Sequence, residues 1–105
     1  VAICVYRKSD GGLILRGEEP SEIIRLEGNY YFHPDVVDTS LMDITQRTYA
    51  CQKKGICNWI DLKTNKGFVI DASWVYPDPK TGYENIRGWY GFYPDHRYYK
   101  TEECE

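Results

Sequence analysis

Ile56-Cys57-Asn58-Trp59-Ile60-Asp61-Leu62, then Asn65-Lys66-Gly67, then Phe68-Val69-Ile70-Asp71-Ala72-Ser73-Trp74-Val75-Tyr76 is the stretch that decides the fold. Side chains of a strand alternate between its two faces. Ile56, Asn58, Ile60 and Leu62 therefore share one face, and Cys57, Trp59 and Asp61 the other. Asn65-Lys66-Gly67 supplies turn residues between two runs rich in β-branched and aromatic side chains. That combination predicts an antiparallel β-hairpin.

The same logic extends outward. Val1–Tyr6 and Leu13–Arg16 read as strands around the turn Ser9-Asp10-Gly11-Gly12. Residues 23–27 alternate, Gly28-Asn29 permits a turn, and Tyr30-Tyr31-Phe32 follows as a strand that Pro34 ends. Ser40-x-x-Asp43 is a weak capping signal, and it predicts a short helix over Leu41–Arg47, the one helix of the chain. Pro77-Asp78-Pro79 cannot continue a sheet. Ile86–Tyr93 reads as a further strand, with a short edge at Tyr98-Tyr99. The acidic tail Glu102-Glu103-Cys104-Glu105 reads as a solvated end. Short strands separated by turns predict an all-β, small antiparallel-sheet architecture.

At 105 residues there is room for a single domain, spanning 1–105, with one core. Ten tyrosines and three tryptophans are many for this length, and aromatic rings suit both half-buried pleated surfaces and ligand grooves. The net charge is −3 and the basic residues are scattered. A nucleic-acid binder concentrates its basic residues on one face, so no nucleic-acid partner is expected. No apolar run approaches the ~18 residues of a membrane span, and the first residues show no signal-peptide pattern, so no membrane partner is expected either.

Cys4, Cys51, Cys57 and Cys104 contain no C-x-x-C pair, the usual knuckle of a structural zinc site, so no metal or other cofactor is expected. Free, partly buried thiols in a cytoplasmic, reducing setting are the simplest reading. Four cysteines would otherwise allow three disulfide pairings, among which the sequence does not choose.

Four segments, taken in order, resemble one family. Cys51-Gln52-Lys53-Lys54-Gly55-Ile56-Cys57-Asn58-Trp59 is similar to the C-P-Y-K-G-x-A-x-Y segment of the domain-of-unknown-function 427 family. Asp71-Ala72-Ser73-Trp74-Val75-Tyr76-Pro77-Asp78-Pro79 resembles its D-A-A-W-x-Y-P-D-P. Residues 27–32 resemble its E-G-N-x-Y-F strand, and Ile86-Arg87-Gly88 with Phe92-Tyr93 its I-x-G-x-x-A-F-Y ending. Order and spacing agree over about residues 22–95. Gln52 and Lys53 replace the family's Pro and aromatic, Cys57 its small residue, and Trp59 its Tyr. The resemblance implies a β-tent fold, a layout whose better-known relatives hold zinc through two cysteine pairs; here the zinc site would be absent. Fold-level likeness says little about function.

The family is sometimes labelled nucleotidyltransferase-like. Metal-dependent nucleotidyl transfer needs clustered carboxylates, and the sequence has neither a D-x-D pair nor a Gly-rich phosphate loop. No G-x-S-x-G elbow occurs either.

Two groups of residues are candidates for chemistry. Cys51 and Lys54 flank a tight turn ending at Gly55, where an ammonium beside a thiol would favour thiolate and make either residue a candidate nucleophile. The plainer alternative is a small buried thiol and a solvated lysine. Tyr31, Lys54, Asp71, Trp74 and Tyr76 are candidate ligand-binding residues. Trp74 and Tyr76, on the face of Ala72, would wall a groove between the 56–76 hairpin and the 86–93 strand, with Lys54 as charge partner. Asp71 would point with Ser73 and Val75. The plainer alternatives are core packing of both rings against Trp59 and Phe92, and an Asp71 that bonds sheet amides. Three functional readings remain open: a small-molecule binding module, an enzyme using Cys51 or Lys54, and a protein-interaction domain. The oligomeric state is open as well.

Overall fold

The hairpin at the centre forms as its sequence dictates. In the computed structural model, which describes residues 1–105, Gly55–Thr64 and Gly67–Val75 pair antiparallel and Thr64 stands opposite Gly67. Gly67 has φ +112°, a conformation that side chains disfavour, and the Thr64 hydroxyl donates to its carbonyl at 2.7 Å. In chain order the strands are β1 (Ala2–Arg7), β2 (Leu13–Glu18), β3 (Ile23–Leu26), β4 (Asn29–Phe32), β5 (Met42–Cys51), β6 (Gly55–Thr64), β7 (Gly67–Val75), β8 (Tyr90–Phe92) and β9 (Tyr99–Cys104). They form a three-stranded sheet, β2-β1-β9, and a six-stranded sheet, β3-β4-β8-β7-β6-β5, with every pairing antiparallel.

The larger core lies between the sheets. Ile3 and Val5 of β1 meet Phe32, Ile60, Phe92 and Tyr99, all essentially without solvent exposure. Burying such side chains contributes about 1.5–3 kcal/mol each. A second, smaller cluster of Tyr31, Cys57, Trp74, Tyr76 and Ile86 draws on the six-stranded sheet. Alternation along β6 delivers Cys57 to this cluster and Ile60 and Leu62 to the main core, while Ile56, at the start of the strand, is exposed. Ala72, expected to accompany Trp74 and Tyr76, joins the main core instead. Nearby the register slips between Ile60 and Leu62, and Asp71 has φ +55°, the mark of a bulge that interrupts alternation.

Several expectations are corrected. The short helix over Leu41–Arg47 does not form; a single 3-10 turn at Thr39–Leu41 leads straight into β5. Asp38, not Ser40, supplies the cap: its carboxylate accepts from the Ser40 backbone N–H at 3.1 Å. Ile44, Thr45, Thr48 and Tyr49 are strand-favouring residues, and pairing with β6 overrides a weak helix signal. The Ile86–Tyr93 strand shrinks to Tyr90–Phe92, preceded by a 3-10 turn at Glu84–Ile86. The acidic tail is not a loose end. It is β9, paired with β1 along its length and joined to it by a Cys4–Cys104 disulfide with the Cα atoms 5.9 Å apart. Two of the four cysteines are therefore not free thiols; Cys51 and Cys57 are.

Candidate functional site

The turn between β5 and β6 positions the first group of side chains. Cys51 stands opposite Gly55 at the hairpin mouth, and Gly55, at φ +108°, makes the reversal possible. Lys54 folds back so that its Nζ lies 3.7 Å from the Cys51 Sγ. The same ammonium donates to the Glu27 carboxylate at 2.6 Å, and the Tyr83 hydroxyl donates to the other oxygen of Glu27 at 2.9 Å. Glu27 reaches this place from the two-residue turn between β3 and β4, where Glu27 and Gly28 both take positive φ, the geometry that matches strand twist.

These contacts set the titration of each group. The backbone amide of Lys54 holds the Cys51 thiol below its ordinary range, with the Lys53 amide and the Lys54 charge assisting against partial burial. Cys57 moves the other way, because burial penalises its thiolate. Burial works against the Lys54 charge, but the Glu27 bond and the neighbouring acids outweigh it and hold Lys54 protonated. Lys54 is thus held as a cation between Cys51 and Glu27.

Cys51 and Lys54 open onto a hollow of about 230 Å³. Six of its ten lining residues are aromatic: Tyr31, Tyr49, Trp59, Trp74, Tyr76 and Tyr93; Asn29 and Cys57 complete the wall. Trp74 lies at its centre. Its indole N–H donates to the Tyr31 hydroxyl at 3.2 Å, and its ring centroid is 4.6 Å from Tyr93 and 6.2 Å from Trp59. Gly91 makes this arrangement possible, because a Cβ there would run into the indole. Tyr31, Trp74 and Tyr76 are at most 5% exposed, so they form the floor, while Tyr49 stands half in solvent at the rim. Phe92, the expected core partner of Trp74, belongs to the other cluster. The wall opposite the hairpin is made by Tyr31 on β4 and Tyr93 just after β8, rather than by a strand over 86–93.

Of the candidate residues, Tyr31, Cys51, Lys54, Trp74 and Tyr76 come together on this hollow. Asp71 does not. It sits on the bulge with Asp61, and the Arg47 guanidinium bridges both carboxylates, donating to Asp71 at 2.9 Å and to Asp61. Asp71 is therefore an ion-pair partner, and it is its own N–H that donates, to Asp61 at 2.9 Å. The loop after Tyr76 locks the two motifs together: the Lys80 N–H donates to the Lys54 carbonyl at 2.8 Å, and the Lys80 ammonium to the Gln52 carbonyl at 2.9 Å.

Glu27 and Tyr83 are the residues that sequence reasoning missed. Glu27 read as the last residue of an alternating strand, and its contact with Lys54 spans 27 positions and leaves no local signal. Trp59 and Cys57 could have been found, since alternation already placed them on one face.

A family model matches residues 22–104, described as a domain of unknown function (DUF427). The chain belongs to the DUF427 family. No curated protein matches the chain. Within this DUF427 chain, no group of three or more His, Cys, Asp or Glu side chains is arranged to hold a metal. A cysteine-bound zinc does not fit the residues present, because Cys4 and Cys104 are bonded to each other and Cys51 and Cys57 have no further donors of that kind beside them. No helix is long and apolar enough to cross a membrane.

Proposed function

We propose that the aromatic hollow is a binding site for a small, flat molecule, rather than a contact for nucleic acid or membrane. The observation that supports this most is the ring of six aromatic side chains around a space whose lining also carries polar groups, Asn29 and Lys54 among them. At about 230 Å³ the space is smaller than drug-sized pockets and suits a single ring bearing one polar group. Lys54 already meets Glu27, so an acidic ligand would share that charge rather than find it free. The test is a thermal-shift series with indole, phenol and benzoate, followed by tryptophan fluorescence. A ligand at about ten times its dissociation constant adds ~1.4 kcal/mol, several degrees for a domain of this size. The reading is wrong if no single-ring compound moves either signal at millimolar concentration.

A second reading, an enzyme using Cys51 as nucleophile, is favoured by the lowered thiol pKa at the mouth of the hollow. It expects iodoacetamide to label Cys51 at neutral pH well before Cys57. Equal, slow labelling of both would remove it.

The compartment is also a proposal. The Cys4–Cys104 bond fits an oxidising environment better than the cytoplasmic one expected from four thiols. Thiol-trapping of this pair in intact cells, with and without prior reduction, tells the two apart.

A further inference from the structure

The aromatic hollow is not the only one in the molecule. A cleft of about 630 Å³ lies at the opposite end of β6, between the β1–β2 turn and the β6–β7 turn. This is within the range of small-molecule sites. Its apolar surface comes from Ile14, Leu41, Leu62 and Val69, which flank or belong to the main core, and Phe68 stands beside them half exposed. Its charged groups are Arg7, Asp10, Lys63 and Lys66. Arg7 and Asp10 pair at 3.1 Å and cancel. Lys63 and Lys66 pair with no carboxylate, so the cleft carries two uncompensated positive charges in a protein of net charge −3. Arg7, Ser9, Asp10 and Ile14 all precede residue 22, where the family match begins, so one wall of this cleft lies outside the matched residues.

We propose that this cleft binds a small organic anion with an apolar body, its head group on Lys63 and Lys66 and its body along Ile14, Leu62, Val69 and Phe68. The apolar surface selects for the body and excludes simple ions; the unpaired lysines select against neutral and cationic amphiphiles. The site is independent of the aromatic hollow, with which it shares no residue.

The experiment is backbone amide NMR titration of the full chain with octanoate, octanol and inorganic phosphate. Octanoate should shift the resonances of Ile14, Leu62, Phe68 and Val69 and leave Trp59 and Trp74 unmoved. Two exposed ion contacts of this kind together give about tenfold in affinity over octanol at low salt, and the advantage should close near 1 M salt, where charges are screened. The surface variant K63Q/K66Q should bind octanoate and octanol alike. The proposal fails if octanoate moves nothing, if its shifts centre on Trp59 and Trp74, if octanol matches octanoate in the unaltered protein, or if phosphate alone binds as well as octanoate.

Discussion

The Tyr99 hydroxyl donates to the Ala72 carbonyl at 2.6 Å and accepts from the Tyr93 backbone N–H at 3.0 Å, stitching the three-stranded sheet to the six-stranded one. Tyr99 has no solvent exposure, so no water replaces that hydroxyl. Tyr99→Phe keeps the ring and strands both backbone groups. Unmet buried partners cost about 1–3 kcal/mol each. Urea unfolding should show a loss of at least ~1 kcal/mol with the m-value unchanged; an unaltered midpoint would show that the hydroxyl is not a clamp.

Lys54→Met should raise the pH at which Cys51 becomes reactive. The rise should be partial, because the backbone amides of Lys54 and Lys53, which the substitution leaves in place, act on the thiol as well. Iodoacetamide rate against pH reads this directly. An unmoved midpoint would mean that the ammonium 3.7 Å away has no bearing on the thiol.

Glu27 makes the fold sensitive to acid. Its Lys54 and Tyr83 bonds hold its carboxyl below the ordinary 4.5. A depressed acid contributes stability that is complete above its unfolded pKa and is lost as pH falls through the folded one. Glu27→Gln should therefore show a smaller drop in melting temperature than the unaltered protein between about pH 6 and about pH 2. Part of the drop should persist, because Asp10 and Asp95 are depressed as well, the first mainly by the Gly12 amide and the second by Lys8. Parallel curves for the two proteins would contradict this.

Gly91→Ala should disturb the aromatic hollow before it disturbs anything else. The new methyl meets the Trp74 indole, and Gly91 is paired with both Tyr31 and Trp74. Overpacking of this kind costs about 1–3 kcal/mol. A shifted tryptophan emission together with weaker single-ring binding is expected. Native emission and native binding would mean that the ring relocates freely.

Reducing the Cys4–Cys104 bond opens a loop of sequence separation 100. Chain-entropy arguments put the loss at roughly 2–5 kcal/mol. The double variant C4S/C104S should melt well below the oxidised protein and be indifferent to dithiothreitol. Equal melting points would show that pairing of β1 with β9 suffices alone.

The parts of this fold that were legible in the sequence are those coded locally. Alternation and a Gly-ended turn define the β6–β7 hairpin; a Gly-containing turn also marks the β3–β4 one, read at Gly28-Asn29 and made one residue earlier, at Glu27-Gly28. Residues 42–51 misled because Ser40-x-x-Asp43 looks like a cap, whereas pairing of seven of these ten residues with β6 decides the outcome. The tail looked solvated because its acids are exposed, yet Tyr99 and Thr101 just before them are buried. In the site, Tyr31, Lys54, Trp74 and Tyr76 meet because the two motifs that hold three of them are bonded through Lys80. Asp71 departs because a bulge, invisible in an alternating pattern, turns it towards Arg47.

The Cys4–Cys104 bridge also has a mechanical meaning. Tension applied through residues 1 and 105 would run along three residues, across one covalent bond, and out again. The chain between Cys4 and Cys104 would carry none of it. Oxidised, the domain would behave under load as a short inextensible link with both sheets intact. Reduced, β1 and β9 would be pulled from the same side and unzip first, and the whole contour would become available to stretch.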